Sequence, residues 1–308
     1  MTKTPFLFAM FFILLLAGCT KTDNFKSNNA DKPVIQADGQ ASKVMIQTDR
    51  KTYKAVLYSA DYITTAKSGK AGQTIFFKDV GNKHLDVDFV PSDPRRGGRT
   101  NITYAIDNET TTDNGLSHVQ VATAINNAMA TWEAVKCSEL NLTEIPHNGD
   151  LGWVQAFSGF GGSLDQVADI QHSGFLPGAF FDQIAPGGSS FILGITYHFI
   201  FFDEDGNVSD IDGNGLADVS FAEIYYNDNF VWSTNSSTGI DIESIALHES
   251  GHGLSQAHFG KAFLTNSNGK LHFTPKAVMN AAYSGEQRSL RGTDNGGHCS
   301  IWANWPKK

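Results

Sequence analysis

Apolar residues recur at i, i+3, i+4, i+7, i+8 and i+11 through Val121, Ala124, Ile125, Ala128, Met129 and Trp132. That spacing lays one apolar stripe along a helix and makes Met129 and Trp132 core residues. Phe191–Phe202 is a long apolar, aromatic-rich run bounded by Gly187-Gly188 and Asp203, the pattern of a buried strand or strand pair. Asn101–Ile106 and Ala222–Tyr226 read as further strands. Short β-branched runs at Val44–Ile46, Ala55–Tyr58 and Thr74–Phe77 predict a small β-rich segment. A second helix is predicted over about Asp241–Leu254, with Asp241 placed to cap it. Between these blocks, Pro91-Ser-Asp-Pro-Arg-Arg-Gly-Gly-Arg99 is a dense cluster of chain breakers and charge. It divides a segment 44–97 from a domain 98–308. The first of these is either a removed propeptide, with Arg95-Arg96 as a processing site, or a permanent subdomain.

The N-terminus carries a different pattern. Residues 1–18 have Lys3 followed by an apolar stretch, Phe6–Leu16, too short to span a bilayer and suited to a signal peptide. Its end, Leu16-Ala17-Gly18-Cys19, resembles the bacterial lipoprotein lipobox. That resemblance implies a lipidated Cys19 and a protein exported and tethered in the bacterial cell envelope, at the outer membrane or cell surface. An ordinary cleaved signal with an incidental cysteine is the plainer reading. Residues 19–43 are polar and poor in large apolar groups, as a flexible tether is. Of 3 cysteines this leaves Cys137 and Cys299, which in an exported protein either pair or stay as two buried thiols. Neither lies in a C-x-x-C arrangement.

Charge narrows the function classes. The 308 residues carry a formal net charge of −9, and no Lys or Arg occurs between Lys136 and Lys261. An acidic middle of that length does not grip phosphate backbones, which need clustered basic residues, so nucleic acid is not an expected partner. It fits a solvated acidic face or a segment that collects cations. Within it, Asp210, Asp212, Asn214 and Asp218 offer hard oxygens among glycines, the chemistry of a calcium loop. Phe221 stands where an EF-hand would place its closing Glu, so a solvated acidic turn is the competing reading.

The second predicted helix contains His248-Glu249-Ser250-Gly251-His252. Histidines four apart stand one turn above each other, so two imidazoles reach one ion while Glu249 stays free for proton transfer. A catalytic zinc needs a third protein ligand, and His258 is the candidate if the chain folds back after the helix. With this many His and Glu residues, H-E-x-x-H arises by chance in about one chain in a hundred, and the third His lowers that to about three in ten thousand. This motif resembles that of the metzincin zinc peptidases. Lys276-Ala-Val-Met-Asn-Ala-Ala-Tyr283 is similar to their methionine turn, closest to the matrixin version, as are Glu223–Trp232 and Ile240–Leu247 to the approach of the matrixin active-site helix.

The resemblance implies an α+β fold: a metzincin-like catalytic domain with a twisted mixed sheet, two long helices and a zinc cleft, preceded by the small β-rich segment. It implies a zinc-dependent endopeptidase acting on protein or peptide substrates. Zn2+ is assigned to His248, His252 and His258, and the general base to Glu249. Met279 would lie beneath the metal and Tyr283 in the wall of the substrate pocket, with substrate extended along a sheet edge at about 216–226. Ser255 replaces the family's turn glycine, a position that needs positive φ, and Ala281 replaces the matrixin proline after the methionine. Asp218 and Tyr225 stand where matrixins hold a second, structural zinc with histidines, so that ion is not carried over. Nor does any cysteine other than Cys19 precede residue 98 to act as a thiol latch. Two other readings stay open: an H-E-x-x-H zinc hydrolase with a carboxylate as third ligand, and a lipid-anchored, metal-stabilised binding or adhesion module.

Overall fold

The computed structural model describes residues 44–48, 51–76, 86–108, 112, 115–235, 238–264 and 270–307; the leader, the tether and Cys19 lie outside them. Among the described residues, the first elements are strands β1 (Val44–Thr48), β2 (Lys51–Thr65), β3 (Gln73–Phe76), β4 (Val87–Asp88) and β5 (Ile102–Ile106). Helix α1 (His118–Glu133), strand β6 (Leu142–Glu144), helix α2 (Trp153–Ser158), strand β7 (Ile170–Leu176) and helix α3 (Gly178–Ile184) follow. Two long strands come next, β8 (Ile192–Phe202) and β9 (Ala217–Asn227), then the short pair β10 (Trp232–Ser233) and β11 (Ile240–Asp241). Helix α4 (Ile242–Gly253), strands β12 (Lys261–Leu264), β13 (Leu271–Thr274) and β14 (Ala282–Tyr283), and helix α5 (Gly292–Trp302) complete a mixed α+β protein. Among the described residues no helix is long and apolar enough to cross a membrane.

One mixed sheet runs in the order β1-β2-β8-β9-β7-β5-β6. Strands β6, β5, β7 and β9 pair parallel, which requires crossovers, and α1 supplies the one from β5 to β6. Strand β8 is antiparallel to β9, and β2 is antiparallel to β8. Every residue of β8 is buried, which explains its unbroken apolar sequence. The six residues of the predicted helical stripe are the six buried residues of α1. They face α4, and the Trp132 indole N–H donates to the Leu247 carbonyl at 2.8 Å.

The cluster Pro91–Arg99 is folded onto the sheet. Arg95 pairs with Asp93 and Asp218 at 2.6 and 2.7 Å and lies 4.0 Å over the Phe201 ring. Arg96 holds Asp169 through two nitrogens at 2.9 and 3.0 Å. Both arginines are buried with their partners. Breaking either set would leave an unmatched charge out of water, and the Arg95-Arg96 pair, the processing site on the propeptide alternative, has both side chains buried. Farther on, Cys137 and Cys299 form a disulfide that ties the chain after α1 to α5.

Buried histidine adds an acid sensitivity. His172 on β7 sits with Nδ1 2.9 Å from the Tyr226 hydroxyl, and burial pulls its pKa down from 6.5 to about 3. Below the ordinary value the unfolded chain binds a proton that the folded chain refuses, so stability falls as pH drops through that window. The share lost near pH 4 is on the order of 3 kcal/mol. In denaturant melts from neutral pH to about pH 4, His172→Phe should flatten the slope by that amount; an unchanged slope would refute the assignment.

Candidate metal centre

Helix α4 is set by its first residue. Asp241 Oδ2 accepts the Ser244 amide at 2.9 Å, the predicted cap, and a salt bridge from Arg288 holds the same carboxylate. The helix is buried over nearly its whole length, so its two histidines point into protein rather than solvent. It ends at Gly253, and Ser255 takes φ +66°. Ser255 therefore adopts the left-handed conformation that its position demands, at a cost of roughly 1–2 kcal/mol relative to glycine. The turn is held by the Gln256 amide donating to Gly251 O at 2.9 Å. Chain reversal then returns His258 to the helix.

The three Nε2 atoms meet. His248 and His252 are 3.1 Å apart, His248 and His258 3.2 Å, and His252 and His258 3.0 Å. The other ring nitrogens decide what these contacts are. His248 Nδ1 lies 2.7 Å from Val278 O, and His252 Nδ1 2.8 Å from Gln256 O. A carbonyl only accepts, so each Nδ1 carries the hydrogen and each Nε2 presents a lone pair. Two lone pairs at this separation repel unless a cation lies between them. A proton is a poor candidate, because burial holds His248 down to about 4 and puts His252 and His258 well below the usual imidazole range, their neighbouring rings adding to the effect. Tetrahedral zinc with Zn–N bonds of 2.0–2.1 Å separates its nitrogens by roughly 3.3 Å, close to the spacing observed. The residues fit the ion.

Glu249 is fully buried beside this triad. The Thr196 hydroxyl on β8 donates to its Oε2 at 2.7 Å. Burial raises its proton affinity well above the ordinary carboxylate value, the Thr196 bond opposes that, and Asp61 adds to it. Met279 packs under α4 where Gly251 leaves room: a Cβ at Gly251 would stand 2.4 Å from the Met279 sulfur and 2.8 Å from Trp132. The methionine turn works through its backbone, for Val278 O orients His248 and Met279 O accepts the Phe259 amide next to His258. Tyr283 lies on β14 with its hydroxyl accepting the Asp241 amide at 3.3 Å, at the head of α4.

Three positioning residues escape a reading of the sequence. His198 donates Nε2–H to His252 O at 2.8 Å, and Thr196 holds Glu249. Both are polar residues two apart in an otherwise apolar strand, and so on one face; that interruption was the available signal. Asp294 at the start of α5 accepts the Val278 and Met279 amides at 3.0 and 3.1 Å, a contact that no local pattern announces.

No protein-family model matches the chain, and no curated protein does.

One expectation takes another form. The strand at 216–226, expected to offer substrate an edge, is β9, flanked by β8 and β7 and so without a free edge. Strand β8 is likewise paired along both edges, with β9 and with β2. In the acidic turn, Asp210, Asp212 and Asp218 each bring an oxygen within 4.8 Å of the others. Asp218 is buried against Arg95 and Ser209, while Asp210 accepts the Asn214 and Gly215 amides. Asn214 turns its amide nitrogen to Asp88 and Asp212 and its carbonyl to the Leu216 amide.

Proposed function

We propose that this chain is a zinc-dependent endopeptidase of the matrixin-like metzincin type, exported and held to the bacterial envelope through Cys19. The observation that carries the reading is the convergence of three imidazole Nε2 atoms, with two of them, on His248 and His252, presenting lone pairs because their Nδ1 atoms donate to carbonyls. The mixed sheet and the two long helices α1 and α4, which pack together, agree with it. His248, His252 and His258 would hold the metal. Zinc supplies a lowered pKa for a water and polarisation of the scissile carbonyl. Glu249 lies one residue from the first ligand yet bonds Thr196 instead of joining the triad. Its role is to take the water's proton and deliver it to the leaving amine. Thr196 fixes the carboxylate for this transfer.

Zinc content measured beside a chelator-sensitive casein digest tests the reading. One zinc per chain and cleavage abolished by chelator are expected, with His258→Ala weakening zinc by roughly 100-fold or more, beyond the usual effect of an outer-shell change. Full zinc affinity in His258→Ala would move the third ligand to a carboxylate. Tight zinc with no turnover in any activated form would favour the lipid-anchored binding module.

A further inference from the structure

Strands β12 and β13 stand on the turn Ala66–Ser68 that follows β2. Among the described residues they pair only with each other, from Lys261 opposite Thr274 to Leu264 opposite Leu271. One face of the pair packs Ala262, Leu271 and Phe273 against Ala66 and Ala282. The opposite face carries Lys261, Phe263, His272 and Thr274, with the Phe263 and His272 rings stacked at 5.5 Å between centroids. Phe263 and Leu264 are still 46% and 45% exposed. Neighbours on a strand point to opposite faces, so the far end of β12 presents an apolar group on each side. Charge is segregated around it. From Ser250 to Gly285 the sequence has no Asp or Glu, and its three lysines, Lys261, Lys270 and Lys276, are exposed. Lys67 and Lys70 in the adjoining turn are exposed as well, Lys70 with its Nζ 3.9 Å over the Phe191 ring. Strand β2 separates this basic end from the acidic turn: Lys54 lies opposite Phe202, next to Asp203, while Thr65 leads into the turn under the hairpin. That length of strand puts the two ends roughly 35 Å apart. Glu204, Asp205, Asp210 and Asp212 are exposed at the acidic one.

Lysines around a protruding apolar end make an interfacial element: apolar groups enter the headgroup boundary while basic side chains reach lipid phosphates. A protein partner would need one continuous face, whereas the exposed phenylalanine and the exposed leucine point to opposite sides. We propose that the β12–β13 hairpin and the turn at Lys67–Lys70 dock this chain on an anionic phospholipid bilayer, with Phe263 and Leu264 in the interface. Such docking requires neither a bound zinc nor a lipidated Cys19. The charge separation along β2 orients the approach, since the surface that attracts the lysines repels the acidic turn. Lys261 follows His258 by three residues. The chain between them spans at most about 11 Å, so docking holds the metal centre close to the lipid.

The test uses the full chain with Cys19→Ser, so that no acyl chain contributes. Its partners are vesicles of phosphatidylcholine alone and vesicles of equimolar phosphatidylcholine and phosphatidylglycerol. Sedimentation should show tighter binding to the anionic vesicles, weakening as salt is raised. Lys67→Gln, Lys261→Gln and Lys270→Gln together should weaken it by about 100-fold, at roughly 5-fold per lysine. Phe263→Ser with Leu264→Ser should weaken it by about 10-fold or more. All five side chains are exposed, so the unfolding midpoint should hold in both variants, which separates lost docking from a lost fold. Depth is read with an environment-sensitive dye on Phe263→Cys, beside the same dye on Val119→Cys at the exposed start of α1. Cys137 and Cys299 are joined to each other and do not take the dye. A blue shift on anionic vesicles is expected from position 263 and not from position 119. Equal binding to the two vesicle types, unchanged affinity in the triple lysine variant, or a shift at 119 in place of 263 would overturn the proposal. Charge-dependent binding that leaves the dye at 263 in water would overturn it too, in favour of a soluble acidic partner for the same lysines.

Discussion

Glu249→Gln is expected to keep its zinc and lose peptide hydrolysis by about 10²–10⁴-fold, the range for a removed general base. The substitution is nearly isosteric, and the amide oxygen can still accept the Thr196 hydroxyl that now bonds Oε2 at 2.7 Å. What disappears is the capacity to accept a proton at a carboxylate whose affinity for one is raised by burial. Metal content separates this role from a ligand role: loss of zinc together with activity would make Glu249 structural to the site. Retained cleavage in the zinc-loaded variant would remove it from the mechanism. Thr196→Val is the accompanying control. It leaves the carboxylate but frees its orientation, so its loss should fall mainly on kcat while KM holds.

Much of this site is legible in the linear sequence because its parts are local. His248 and His252 share a helix face by spacing alone, Asp241 caps that helix, and Ser255 breaks it in the left-handed conformation expected at its place. The α1 stripe was legible because only one face of that helix is buried. Pairing is where local reading fails. An alternating run such as 51–65 looks the same whether it forms a separate subdomain or joins β8, and its partner lies some 140 residues away. The same blindness gives β9 a free edge that pairing with β8 and β7 takes away. Helix α5 gave no signal because its sequence, with three glycines, has no apolar stripe; Asp294, His298 and Trp302 are buried through tertiary bonds. The acidic middle of the chain, which pointed to cation capture, divides on the structure. Its Asp218 answers a buried arginine, and its last stretch supplies the imidazoles.

Replacing both Cys137 and Cys299 by alanine should cost the fold about 5 kcal/mol, because the crosslink closes a very long loop in the unfolded chain. The two residues are 162 apart in sequence. For a domain of this size the loss should appear as a fall of roughly 10–20 °C in the unfolding midpoint. Its position gives the bond a second effect. Helix α5 holds the metal site from behind: Asp294 fixes the Val278 and Met279 amides, and Trp302 donates to Leu254 O at the end of α4. His298 stacks on Trp132 at 5.5 Å between ring centroids, and a Cβ on Gly297 would strike Phe259, the neighbour of His258. Untying α5 from α1 therefore loosens the carbonyl that orients His248 and the loop that delivers His258. Zinc affinity in the double alanine variant should fall by about 10–100-fold even at temperatures where the chain is folded, the scale of lost outer-shell support. A lowered midpoint with unchanged zinc affinity would confine the disulfide to the unfolded state, and an unchanged midpoint would remove its stabilising role altogether.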